Sequence, residues 1–109
     1  MSKDHQTLLL AGDLTIRSSA QTKQLIEAAL AGAAAEQSML SIDIGDGHAA
    51  DLTLPQLLIS AKRTAERANM ALRLTHPARG SLLSVLERSG IVGPGCRDND
   101  FWLHEGVTQ

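Results

Sequence analysis

Three carboxylates gather in a short stretch of the chain: Asp43, Asp46 and Asp51. Carboxylates so placed could hold a divalent cation or divide acid and base duties. No EF-hand spacing accompanies them, and the reading preferred here leaves Asp43 facing solvent and gives Asp46 the shaping of a turn. Thr53 follows, with Pro55 and Gln56 after it. A hydroxyl at a helix start is first of all a cap. It is also where an added phosphate would meet free backbone N–H groups, so Thr53 is the phospho-acceptor candidate. His5, His48, His76 and His104 share no metal-ligand spacing with one another or with Cys96. No G-x-S-x-G elbow or G-x-x-x-x-G-K-[ST] loop is present, and the glycines from Gly90 to Gly95 read as a connector. Cys96, beside Arg97, has no partner for an internal disulfide. The expectation is therefore no catalytic residues, no metal and no cofactor.

The elements that must position these residues follow from two alternating periods. Leu8-Leu9-Leu10, broken by Gly12-Asp13 and resumed by Leu14-Thr15-Ile16, fits one bulged strand or two strands in a hairpin, the hairpin being preferred. Ser18 and Gln21 have capping-box spacing ahead of a helix. Leu25, Ile26, Ala29 and Leu30 fall on one face of it, and it ends between Gly32 and Ala35. Met39 to Ile44 alternates, with Leu40, Ile42 and Ile44 on one side, and predicts a strand. Gly45 to Leu52 is a loop. Thr53 as N-cap and Gln56 open a second helix, with an apolar stripe of Leu54, Leu57, Leu58, Ala61, Ala65 and Ala68. Ala71 to Thr75 predicts another strand. Leu82, Leu83, Val85 and Leu86 make a third helix, stopped by Gly90. Phe101-Trp102-Leu103 reads as an edge strand, able to pair with a second copy or to be covered by the glycine loop, which leaves the oligomeric state open. The order β-β-α-β-α-β-α-β implies an α/β fold with a mostly parallel four- to five-stranded sheet covered by helices. The loop before the second helix then lies on the rim where such sheets carry their sites.

With 109 residues, the chain fits a single domain spanning 1–109. A net charge of −2 with scattered signs, and only one Phe and one Trp beside no Tyr, argue against a nucleic-acid partner. No apolar run approaches the roughly 20 residues of a membrane helix, and the first residues lack the apolar core of a signal peptide, so a cytoplasmic location is expected.

Three segments resemble the STAS domain family of bacterial anti-sigma-factor antagonists and sulfate-transporter tails. Leu10-Ala11-Gly12-Asp13-Leu14-Thr15 looks like the family's L-x-G-[ED]-L-[DT] opening. Ser41-Ile42-Asp43-Ile44 and then Asp51-Leu52-Thr53-Leu54-Pro55-Gln56-Leu57-Leu58 resemble its central strand and D-[ST]-x-G-L-x-x-L helix start. Leu82 to Ile91 is similar to its last helix with the L-x-x-x-G-[LIF] ending. The likeness runs from Thr7 to Gly93.

The resemblance implies a STAS fold and a non-enzymatic signalling module. Such modules dock a serine-kinase anti-sigma factor, and phosphorylation of the residue after the loop aspartate blocks docking. Here Asp51 matches that aspartate, Leu52 occupies the acceptor position, Thr53 is one place late and Leu54 replaces the glycine. Phosphoregulation is therefore expected to be atypical or lost. The partner surface expected on an exposed rim is Asp46, His48, Asp51, Leu52, Thr53 and Leu54, with Lys62, Arg63 and Arg67 as a charged flank. Two alternatives share the fold: an accessory subunit of a membrane transporter, as some small STAS proteins are, and a small-ligand sensor.

Overall fold

The computed structural model describes residues 5–45, 47–93 and 99–103. Three strands form the central sheet: β1 (His5–Leu10), β3 (Met39–Ile44) and β5 (Leu72–Leu74), all parallel, in the order β1-β3-β5. Right-handed crossovers place both intervening helices, α1 (Ser19–Ala35) and α2 (Thr53–Arg67), on one face, where they pack against each other. The register sets Leu8 against Ile42 and Leu74, and Leu10 against Ile44, so the even-numbered residues face these helices. Leu10, Leu40, Ile42, Ile44 and Leu74 are buried there with Leu54, Leu58, Leu82 and Leu86. Full burial of such side chains contributes about 1.5–3 kcal/mol each.

The expected hairpin at the start does not form. β2 (Asp13–Leu14) turns away from β1 and pairs in parallel with β4 (Ala49–Ala50), giving a separate two-stranded sheet. A strand of two residues has no period to reveal its partner. A single 3₁₀ turn, Ile16–Ser18, then leads into α1. Thr15, not Ser18, caps this turn by accepting from the Arg17 N–H, and Ser18 makes no side-chain cap to α1. The buried stripe of α1 is Thr22, Ile26, Leu30 and Ala33, while Leu25 is exposed.

α3 (Gly80–Ser89) ends as expected at Gly90, whose φ of 77° is left-handed. The Gly90 and Ile91 N–H groups bond back to the Glu87 and Leu86 carbonyls. The expected last strand is instead a short helix, α4 (Asn99–Leu103). Phe101 and Trp102 are both buried, with ring centroids 4.8 Å apart in an edge-to-face pair. The Trp102 carbonyl accepts the Ala78 N–H at 2.7 Å, tying α4 to the segment before α3. Among the described residues no sheet edge exists there for a second copy to join. The central sheet thus has three strands among the described residues, rather than four or five.

Candidate functional site

The rim is assembled around one carboxylate. Asp51 accepts the Thr53 N–H at 3.0 Å through Oδ1 and the Ile16 N–H at 3.0 Å through Oδ2. Asp51, rather than the hydroxyl of Thr53, therefore caps the start of α2. Residue 52 already has helical backbone angles, and its side chain gives no cap. The Thr53–Gln56 capping box does not form. The Ile16 N–H bond crosses 35 residues of chain and fastens the 3₁₀ turn to the start of α2. The Ile16 N–H holds the Asp51 carboxyl below its ordinary value of 3.8; burial opposes this, and the Thr53 N–H and hydroxyl add to the lowering. Asp13 is lowered too, first by the Thr15 hydroxyl and then by the Thr15 N–H.

A pH dependence follows. A carboxyl whose folded value is depressed contributes stability that is present above 3.8 and lost as pH falls through the lower folded value. The Ile16 and Thr53 amide resonances are expected to titrate together, with a midpoint below 3.8. Asp51→Asn is expected to abolish that transition.

The first turn of α2 has no spare donors. The Thr53 N–H goes to the Asp51 carboxylate and the Leu54 N–H to the Asp51 carbonyl at 3.2 Å. Pro55 has no N–H, and the Gln56 N–H bonds the Leu52 carbonyl at 3.3 Å. A phosphate on Thr53 would thus meet a carboxylate instead of the free N–H groups expected for it.

The sequence-predicted residues separate into two sets. Leu52 is 45% exposed, Asp51 and Thr53 are partly exposed, and these three share the rim. Leu54 is 0% exposed and lies in the core, so the expected rim role of its side chain is corrected. Once Leu52 has entered the helical conformation, residue 54 points onto the sheet with Leu58 and Ala61. His48, expected on the exposed rim, is also buried, at 7%. Its Nε2 accepts the Leu82 N–H of α3 at 3.0 Å, so Nδ1 carries the proton and donates to the Gly45 carbonyl at 2.8 Å. Beside it, the Ser81 hydroxyl accepts the Ala50 N–H at 2.9 Å and donates to the Ala50 carbonyl at 3.2 Å. His48 is a strut between the loop and α3. Asp46 lies outside the described residues.

Gly45 allows the close approach that starts this loop. A Cβ there would come within 3.1 Å of the Ala11 Cβ, while the Gly45 N–H bonds the Leu10 carbonyl at 2.7 Å. On the flank, Lys62 pairs with Glu66 at 2.7 Å, and Arg63 and Arg67 are exposed.

Ile16 was missed by sequence reasoning, which placed it in a strand. It is 67% exposed and, through its N–H, is bound to the same Asp51 that orders Leu52. The available signal was Asp13 followed two residues later by Thr15, a turn-forming pair that ends a strand.

An apolar groove of about 300 Å³ runs between α1 and α2, lined among others by Ile26, Leu30, Ala34, Leu57 and Ala61. None of the rim residues lines it. Among the described residues no group of His, Cys, Asp and Glu is placed to hold a metal ion, and no helix is long and apolar enough to cross a membrane.

The comparisons with known proteins bear on this site. No curated protein and no solved structure matches the chain. A family model described as "Mlab, STAS domain" matches residues 1–93, which include β1 to α3 and the whole rim. A domain of this kind is a signalling or transporter-associated module that works through protein contacts. The parallel sheet, the covering helices and this match agree: the chain belongs to the STAS domain family.

Proposed function

We propose that this chain is a non-enzymatic signalling module resembling an anti-sigma-factor antagonist, and that it docks a protein partner through Ile16, Asp51, Leu52 and Thr53. One observation carries the reading. Two large apolar side chains, Ile16 and Leu52, are exposed on two segments that one carboxylate, Asp51, ties together. Exposed apolar groups set among polar ones suit a protein surface better than a charged small ligand. The partner class is a serine-kinase anti-sigma factor or another signalling protein.

Calorimetric titration against the kinase or signalling protein encoded beside the gene tests this. Leu52→Glu and Ile16→Glu are each expected to weaken binding at least about tenfold, equivalent to about 1.4 kcal/mol, with the melting temperature unchanged. Wild-type affinity in both folded variants would overturn the reading.

Phosphoregulation at Thr53 would act differently from an anion settling on a helix end. The phosphate adds about −1.5 to −2 charges next to Asp51, removes the Thr53 hydroxyl donor and loosens the hold on Ile16. Intact-mass analysis with the partner kinase and ATP is expected to show one added phosphate, absent from Thr53→Val, and a weakened complex. An unmodified chain that stays bound in ATP would show that this switch has been lost.

The transporter-accessory role uses the same surface. Binding to a transporter ATPase, abolished by Leu52→Glu, in place of a kinase would establish it.

A further inference from the structure

Among the described residues the outer side of β1 is open, and its composition is unusual for an open edge. The bond from the Gly45 N–H to the Leu10 carbonyl fixes the phase of the β1–β3 ladder. In a parallel pair alternate residues bond to the neighbour, so Gln6, Leu8 and Leu10 direct their backbone groups to β3. Thr7 and Leu9 direct theirs outward. Among the described residues no strand lies on that side. Edge strands are ordinarily blunted by lysine, proline or a bulge. Gln6 to Leu10 contains no charge and no proline, and pairs with β3 without a bulge. Leu9 is 61% exposed, and Thr7 beside it is exposed too.

We infer that β1 pairs antiparallel with β1 of a second copy of this chain, about a two-fold axis through Leu8. The occupant follows from self-complementarity. In that register Thr7 and Leu9 exchange N–H···O=C bonds with Leu9 and Thr7 of the second copy, so the outward groups of both strands are used. Leu8, half-buried, meets Leu8 of the second copy at a non-hydrogen-bonded position, where Cα atoms lie about 4.5 Å apart. The exposed Leu9 lies against the Thr7 methyl of the second copy. A charged residue on the axis would face itself with like charge; this strand has none. The two-fold closes, so assembly stops at a dimer with one sheet of order β5-β3-β1-β1-β3-β5. Because the two β1 strands run in opposite directions, the two docking rims point to opposite ends. The dimer does not depend on what those rims bind.

Sedimentation velocity of the full chain over a range of concentrations tests this. The wild type is expected to pass from monomer to dimer as concentration rises. Leu9→Pro removes an outward N–H from each copy without touching the β3 ladder, and Leu9→Lys places like charges near the axis. Both are expected to remain monomeric with the wild-type circular dichroism spectrum. In a Cys96→Ser background, Leu8→Cys is expected to cross-link on mild oxidation. Leu9→Cys is not, because positions 9 and 9 are offset along the strands beyond the roughly 7 Å reach of a disulfide. A wild type that stays monomeric throughout, or a dimer that survives Leu9→Pro, would overturn the inference.

Discussion

Trp102→Ala is expected to destabilise the fold by about 3–5 kcal/mol, a large part of the roughly 5–15 kcal/mol available to a domain of this kind. The indole is fully buried, packs edge-to-face on Phe101 and sits on the chain whose carbonyl holds the Ala78 N–H. The cost combines lost apolar burial with a large cavity beside β5. Urea unfolding followed by circular dichroism gives the value directly. Trp102→Phe is expected to fall between, since it keeps part of the ring contact. It also removes an indole N–H that has no acceptor among the described residues. A loss below about 1 kcal/mol in Trp102→Ala would show α4 to be peripheral. The family match ends at residue 93, before α4. A chain cut to the matched residues is therefore expected to lose a similar amount, although every strand and long helix is retained.

Leu54→Glu and Leu52→Glu differ by two positions and are expected to behave as opposites. Leu54 is enclosed by the core, so truncation to alanine costs about 2–5 kcal/mol, and a carboxylate there meets a further desolvation penalty of several kcal/mol. Leu54→Glu is expected to be unfolded or to accumulate as aggregate. Leu52→Glu is expected to change stability by no more than about 0.5 kcal/mol, because its side chain already meets water. Thermal melts of the two variants side by side provide the check. Only the second is a valid probe of docking, since loss of binding in an unfolded variant says nothing about a surface.

The contrast shows how much of this molecule its sequence discloses. β3 was legible because Leu40, Ile42 and Ile44 repeat at two, and α3 because its apolar face is closed by Gly90, which takes the left-handed conformation. The start of α2 was legible only to within a residue or two. Asp51 and Thr53 both have capping side chains, and the aspartate is the one used; Leu54 keeps its place on the apolar stripe of the helix, and that burial is what removes it from the rim. His48 offered no periodic signal, and the bond that fixes it, from the Leu82 N–H, crosses 34 residues of chain. The pairing of β2 with β4 was hidden for the same reason: two residues cannot declare a face. Phe101 and Trp102 have the composition of a strand, but one short helical turn buries both rings. Asn99 secures that turn to the glycine segment, accepting from the Gly93 N–H at 3.2 Å and donating to its carbonyl at 2.7 Å.

The strut formed by His48 and Ser81 has a mechanical consequence. Loop and helix exchange four polar groups across a partly buried seam: the Leu82 amide, the imidazole, the serine hydroxyl and the Ala50 peptide. Separating the two would give up these bonds together, at a cost of about 0.5–1.5 kcal/mol for each. The loop cannot flap on its own. Any event that levers α3 outward must drag Ala50 with it, so a force applied to that helix is felt two residues on, at Leu52.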